Sequence, residues 1–185
     1  AGETVLTLPR WAYQTERTDT KFLSPHFSVP LTGTIEADGR RFALAGERGT
    51  QCHIWGRKHA HAWAWGHLCG LPGDEEAGLD VLAVRLKKGS VVLPTLTAVT
   101  LRLGGEELQL SAPWHLALNR GEWHTGHLRF SAASPTVRVE GELSVRPEDM
   151  VAAEYTDPDG DPAFCNNTEI ADLRLKVRRR TLLSL

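Results

Sequence analysis

Apolar and polar residues alternate along much of this 185-residue chain, and that period of two constrains the fold more than any other feature. The pattern is typical of strands that are buried on one face and exposed to water on the other. It is clearest over residues 95–103, 137–145 and 173–178. The dipeptide Asp38-Gly39 lies between two such segments and supplies the positive φ values of a two-residue turn. The sequence therefore predicts a hairpin over residues 34–44.

The spacing of these segments predicts the fold class. Turn signals divide the chain into about nine or ten short strands, at the spacing typical of sandwiches and barrels. The segment 79–88 stays open, because its apolar residues suit a helix as well as a strand. Since the chain has no internal repeat and no low-complexity linker, we expect one all-β, antiparallel domain over residues 1–185, with little helix.

Composition excludes several classes of function. The formal net charge of −2 leaves no field that would attract nucleic acid or an anionic membrane. A basic run near the C-terminus alternates with apolar residues and is interpreted as a solvated strand end: Lys176, Arg178, Arg179 and Arg180. No apolar stretch approaches the length of a membrane span. No P-loop, Gly-x-Gly-x-x-Gly or Gly-x-Ser-x-Gly motif is present, so we expect no nucleotide cofactor and no serine-hydrolase chemistry.

The three cysteines are Cys52, Cys69 and Cys165. An odd and small number does not make a disulfide framework, so the sequence predicts a reducing, cytoplasmic location. The chain begins with Ala1 in place of methionine, and we expect it to be trimmed or excised from a longer protein.

The segment 46–70 is the most unusual part of the sequence, since it holds three of the six tryptophans and four of the eight histidines. Laid out as a strand, it has one face rich in rings: His59, His61, Trp63, Trp65, His67 and Cys69. The other face is small apart from its last member: Ala60, Ala62, Ala64, Gly66 and Leu68. We expect the ring face to point inward and the small face to lie outward or under a covering element. Indole and imidazole can orient a ligand that their rings bury, although core packing explains each tryptophan singly.

Two segments of the chain match parts of known metal-binding motifs. His59 and His61 share a side of the predicted strand, which is how the metal site of a cupin begins. A cupin, however, has a longer lead from glycine and an early glutamate, and here Gly56 is three residues before His59 and no glutamate follows until Glu75. We therefore expect no bound metal. The spacing of the aspartates at 157, 159 and 161 matches a calcium loop in part, but an early glycine and the missing final glutamate favour a simple turn.

The segment 46–70 also resembles a known group. Its pattern Gly46-x-x-Gly49, His53-x-Trp55-Gly56-Arg57 and Trp63-x-Trp65-x-His67 is similar to one in the lipocalin-like superfamily of AttH-like proteins, carotenoid hydratases and tocopherol cyclase. The resemblance implies a lipocalin-type antiparallel barrel, often one of two in the full-length protein, and hence a companion domain. It also implies a long apolar ligand. Where that group has an aspartate before the histidine, this chain has Cys52.

These observations predict that the protein binds an apolar small molecule, such as an isoprenoid, a lipid or a polyketide-like compound. The expected ligand-binding residues are His53, Trp55, Arg57, His61, Trp63, Trp65 and His67. An alternative is an acid-catalysed hydratase, isomerase or cyclase, for which His53, His61 and His67 are the candidate proton donors. A metal-dependent β-barrel enzyme is the third hypothesis. The sequence does not decide whether the protein is an enzyme.

Overall fold

The computed structural model describes residues 4–16 and 18–179, and their regular structure is mostly β. The strands are β1 (Val5–Leu6), β2 (Thr20–Ala37), β3 (Arg40–Gly56), β4 (Ala62–Leu71), β5 (Asp74–Arg85), β6 (Lys87–Lys88), β7 (Val91–Val92), β8 (Leu96–Leu103), β9 (Glu106–Leu110), β10 (Arg120–His124), β11 (His127–Ala133), β12 (Val137–Ser144), β13 (Val151–Thr156), β14 (Pro162–Asn167) and β15 (Asp172–Arg179). The helical segments are α1 (Arg10–Tyr13), α2 (Pro113–Leu118) and a 3-10 turn (Pro147–Asp149). No helix in the described ranges is long and apolar enough to cross a membrane.

The longest hairpin is formed by β2 and β3, and it contains the predicted turn. Asp38 and Gly39 have φ values of 49° and 70°. These left-handed values close a two-residue loop in which Ala37 pairs with Arg40. The hairpin predicted over residues 34–44 is confirmed. Both of its strands continue for more than ten residues beyond that range, at the end away from the turn.

Two four-stranded antiparallel sheets pack face to face and form the main core. Their strand orders are β4-β5-β8-β9 (the central sheet) and β10-β11-β12-β15 (the C-terminal sheet). The buried residues between them are Leu79, Val81, Ala83, Val99, Leu101, Leu110, Leu128, Phe130, Ala132, Val137 and Val139. The alternating segments at 95–103, 137–145 and 173–178 become β8, β12 and β15, so these strand predictions are confirmed.

The segment that the sequence left open, 79–88, is strand β5 followed by β6. β5 lies between β4 and β8 in the central sheet and is hydrogen-bonded on both edges. Its residues 77–81 are buried on both faces, so the strand loses the alternation that marks a half-exposed strand. That is why its periodicity could not separate helix from strand.

The N-terminal sheet, of order β1-β2-β3, covers part of the central sheet's other face, which we call the outer face. Phe27 of β2 is fully buried and lies directly over Gly78 of β5. A Cβ atom at Gly78 would come within 2.3 Å of the Phe27 ring, so only glycine allows this approach. The contact fixes β2 on the central sheet.

The described residues contain fifteen strands in five sheets, compared with the nine or ten strands predicted. Part of the difference comes from three strands of two residues each: β1, β6 and β7. Each sheet is open, with two edge strands, and no closed barrel forms within the part of the chain that the structure describes. The antiparallel, mostly β class is confirmed, and the lipocalin-type barrel stays a prediction.

The basic run near the C-terminus lies along β15. Arg178 is 3.8 Å from the half-buried Glu140, and Arg179 is 2.8 Å from the exposed Glu106. Both contacts are surface ion pairs of small energetic value. Arg180 lies outside the described residues.

Candidate functional site

The ring-rich segment forms β4, but the strand begins later than the pattern predicted. It runs from Ala62 to Leu71, so His59 and His61 belong to the connection that precedes it. The backbone N–H of His59 is bonded to the carboxylate of Asp157 and not to a neighbouring strand. The prediction that His59 and His61 share a strand face with the tryptophans is therefore wrong.

The small face of β4 packs under the C-terminal sheet. This agrees with the second of the two expected positions, under a covering element. Ala64 and Leu68 pack against the main core. Gly66 is buried, and a Cβ atom there would lie 2.9 Å from Leu143 of β12 and 3.2 Å from Val81. The small side chains let the C-terminal sheet approach, and the strand's rings consequently lie on the outer face.

The rings on the outer face of β4 are covered unequally. His67 lies under β2, where its ring contacts Phe27 at 5.1 Å and only 8% of its side chain is exposed. Trp63 is half-buried beside Cys165 of β14, whose thiol pKa is raised by burial and lowered in part by a hydrogen bond with Trp63. Trp65 lies between them and is 42% exposed. The expectation that the ring face points inward is therefore not met, since the small face is the one that points to the main core. On the outer face His67 is buried under β2, Trp63 is half-buried and Trp65 is exposed.

Asp80 of β5 is the polar centre beneath these rings. It is 2% exposed and lies directly across from His67 in the ladder that joins β4 and β5. Its Oδ2 atom accepts hydrogen bonds from Trp65 Nε1 and His67 Nδ1, both at 3.1 Å. The sequence did not identify Asp80. The one available signal was a carboxylate inside the apolar run of β5, which a buried strand admits only with partners.

His67 is held in its charged form. Burial alone would lower the pKa of His67, but the hydrogen bonds and charges of Asp80 and, secondarily, Cys69 raise it to about 9. An imidazolium donates from both nitrogens. Nδ1 donates to Asp80, and Nε2 lies 3.1 Å from the Phe27 carbonyl oxygen and 3.2 Å from Cys69 Sγ. Both N–H groups of His67 are therefore engaged inside the protein.

Three further predicted site residues lie elsewhere. His53 and Trp55 alternate along β3 with Cys52 and therefore lie on the opposite face of that strand from it. Their ring contacts are with each other, at 4.9 Å, and between Trp55 and Tyr13, at 6.0 Å. Arg57 bonds to the carboxylate of Asp19 and the carbonyl of Glu16. The structure does not bring these three residues to the rings of β4, and His61 is exposed in the connection before β4.

A second histidine–aspartate pair lies at the Trp63 end of β4. His59 Nδ1 is 2.5 Å from Asp157 Oδ1, and the Asp157 side chain is 5% exposed. The His59 ring stacks on Trp63 with centroids 5.2 Å apart and contacts Tyr155 at 5.5 Å. Asp157 begins the turn between β13 and β14, so the predicted turn is present and has a further role. Because the two partners are 98 positions apart in the sequence, no local sequence pattern predicts the pair.

The histidines and cysteines do not assemble into a recognisable metal site. Among residues 4–16 and 18–179, no three His, Cys, Asp or Glu side chains stand in a group that could hold a metal ion. The three cysteines are free thiols, and burial raises the pKa of Cys52. That shift disfavours the reactive thiolate form of Cys52.

Comparisons with known proteins give relatives but no family. Two proteins of Mycobacterium tuberculosis, Uncharacterized protein Rv0493c (strain H37Rv) and Uncharacterized protein MT0513 (strain CDC 1551), are each 29% identical to this chain over 178 residues. The match covers 94% of this chain and 52% of each relative, so the chain spans about half the length of the curated relatives it matches. No family model matches the chain. No solved structure matches it either.

Proposed function

We propose that the protein binds an apolar small molecule on the exposed ring of Trp65. The observation that carries this proposal is an aromatic ring that is fixed in place yet 42% exposed. Its indole N–H is bonded to buried Asp80, and its edge contacts Phe22 at 5.6 Å. Because the ring's orientation is already fixed, a ligand that stacks on it orders little of the protein on binding.

The apolar surface extends beyond Trp65. Phe22 of β2 pairs across the hairpin with Ile54 of β3, and Ile54 is exposed. We call Trp65, Phe22 and Ile54 the Trp65 platform. Contiguous exposed apolar surface with a polar rim is typical of a binding site. On β4 itself His67 lies under β2 and Trp63 is half-buried beside β14, so Trp65 is the most accessible ring of that strand.

Acid catalysis is the second candidate function, and Asp80 is the observation that favours it. A buried carboxylate beside a tryptophan could hold a proton donor close to a bound alkene, and His67 is charged at neutral pH. Binding ranks first because both N–H groups of His67 already have acceptors within the protein. In a hydratase, isomerase or cyclase, one of these N–H groups would have to leave its acceptor in the protein in order to protonate the substrate.

Two further parts of the proposal rest on the sequence. The resemblance to the lipocalin-like superfamily supports an apolar ligand and a companion domain, and a closed barrel would require pairing beyond the described strands. The three free thiols support a cytoplasmic location. The printed names of the two mycobacterial relatives describe no ligand or activity.

The test is equilibrium dialysis of the protein against 1-methoxynonane, an apolar ether, with the bound fraction measured by gas chromatography. Trp65→Ala should weaken binding by roughly 1–3 kcal/mol, the scale of one buried aromatic contact. Trp114→Ala is the matched control, because Trp114 on α2 is also exposed and lies outside the platform. Circular dichroism checks that both variants fold. If folded Trp65→Ala bound the ether as well as wild type does, the proposal would be wrong.

A further inference from the structure

The second histidine–aspartate pair presents an unused hydrogen-bond acceptor near the platform. A carboxylate oxygen accepts hydrogen bonds and does not donate them, so the 2.5 Å contact with Asp157 places the proton of neutral His59 on Nδ1. In that tautomer Nε2 carries a lone pair and accepts a hydrogen bond. It has no hydrogen bond to any residue of the described ranges, and 24% of the His59 side chain is exposed. A group that binds there must donate a hydrogen bond.

The charges around His59 select against an anionic donor group. Asp157 lies beside the ring, and the adjacent Lys58 is bonded through Nζ to Asp159 at 2.9 Å and to Asp161 at 2.5 Å. Three carboxylates and one ammonium leave this loop negative. The other ring contacts of His59, to Trp63 and Tyr155, add no formal charge. A carboxylate would be repelled, whereas a neutral hydroxyl would not.

The spacing links this acceptor to the Trp65 platform. Trp63 and Trp65 are two residues apart on one face of β4, a separation of about 7 Å. The His59 ring stacks on Trp63, with the two ring centroids 5.2 Å apart. A flexible chain of about ten single bonds covers the combined distance.

We propose that the ligand of the Trp65 platform ends in a neutral hydroxyl group that donates a hydrogen bond to Nε2 of His59. This inference rests on the proposed function, because it assigns the polar end of the molecule whose apolar part lies on Trp65. The ligand class is an apolar chain or isoprenoid with a terminal alcohol. Fatty acids and hydrocarbons of equal length bind less tightly.

The experiment compares two isomers, decan-1-ol and 1-methoxynonane, by equilibrium dialysis with gas chromatography at pH 8. They differ in whether the oxygen can donate a hydrogen bond. Wild type should prefer the alcohol by roughly three- to tenfold, the range for one net hydrogen bond. His59→Phe keeps a ring against Trp63 and should remove that preference by weakening the alcohol alone. His61→Phe is the matched control, since His61 is exposed two residues away, and it should keep the preference. Decanoate should bind wild type more weakly than decan-1-ol.

Several results would overturn the inference: equal binding of the isomers by wild type, a preference that survives His59→Phe, or decanoate binding as tightly as the alcohol. Trp65→Ala should weaken the binding of both isomers equally. If it does not, the proposed function is contradicted, whatever the role of His59. If His59→Phe does not fold, nitrogen-15 NMR of wild type decides the matter. The Nε2 resonance of His59 should shift with decan-1-ol and not with the ether, and an unchanged resonance would refute the hydroxyl contact.

Discussion

Two histidine–aspartate pairs lie along the same strand region, and they differ in what surrounds the imidazole. The His67–Asp80 pair is closed, because both partners are buried and both nitrogens of His67 are engaged. The His59–Asp157 pair is half open: its carboxylate is buried, but one edge of the ring is exposed and carries a nitrogen without a protein partner. The same two residue types thus stabilise the fold in one place and remain available for binding in the other. Burial and the occupancy of the second nitrogen make the difference.

The largest effect that tests this contrast is expected from Asp80→Ala. It leaves buried His67 without its counter-charge and the Trp65 N–H without its acceptor, so unfolding free energy should fall by about 3–5 kcal/mol. Asp157→Ala should cost about 1–3 kcal/mol, because the partly exposed ring of His59 can hydrate. Urea unfolding followed by circular dichroism measures both losses. Equal losses for the two variants would erase the distinction between a closed and a half-open pair.

The next effect is a pH dependence that belongs to the closed pair. The pKa of His67 is about 9 in the folded protein, compared with about 6.5 in an unfolded chain. The folded state therefore binds this proton more tightly than the unfolded state does. The stabilisation is complete below about pH 6.5 and is lost as the pH rises through about 9, a loss on the order of 3 kcal/mol.

Urea unfolding of wild type and His67→Gln at pH 6 and pH 9.5 isolates this contribution. Wild type should lose stability between the two values, and the variant should lose much less. An identical pH dependence in both proteins would mean that His67 is not the titrating group.

The sequence contains the local parts of this arrangement but not the pairings. The β2–β3 turn could be predicted because Asp38 and Gly39 are adjacent and these residue types tolerate positive φ values. β12 and β15 could be predicted because apolar and polar residues alternate along a half-exposed strand. β5 is not, since its residues 77–81 are buried on both faces. The strand that carries Asp80 therefore gave no periodic signal.

The candidate site was predicted in part for the same reason. Trp63, Trp65 and His67 were identified from one short stretch, and they do share a face of β4. Their carboxylate partners come from other elements: Asp80 meets His67 across a strand ladder, and Asp157 meets His59 from a turn 98 residues away. Only tertiary packing determines which aspartate faces which ring.

The remaining prediction concerns chemical reactivity, where the two pairs should separate without any mutation. Diethyl pyrocarbonate acylates an unprotonated imidazole nitrogen. At pH 7 a histidine with a pKa of about 9 is unprotonated in roughly one molecule in a hundred, and His67 is also buried. Protonation alone should therefore slow the reaction of His67 by about a hundredfold, and His59, whose Nε2 has no protein partner among the described residues, should react faster. Peptide mass spectrometry after brief, substoichiometric treatment measures both rates in one sample, with exposed His61 as the internal reference. Rates within a few-fold of one another would show that His67 is neither charged nor enclosed, and the contrast between the two pairs would then be lost.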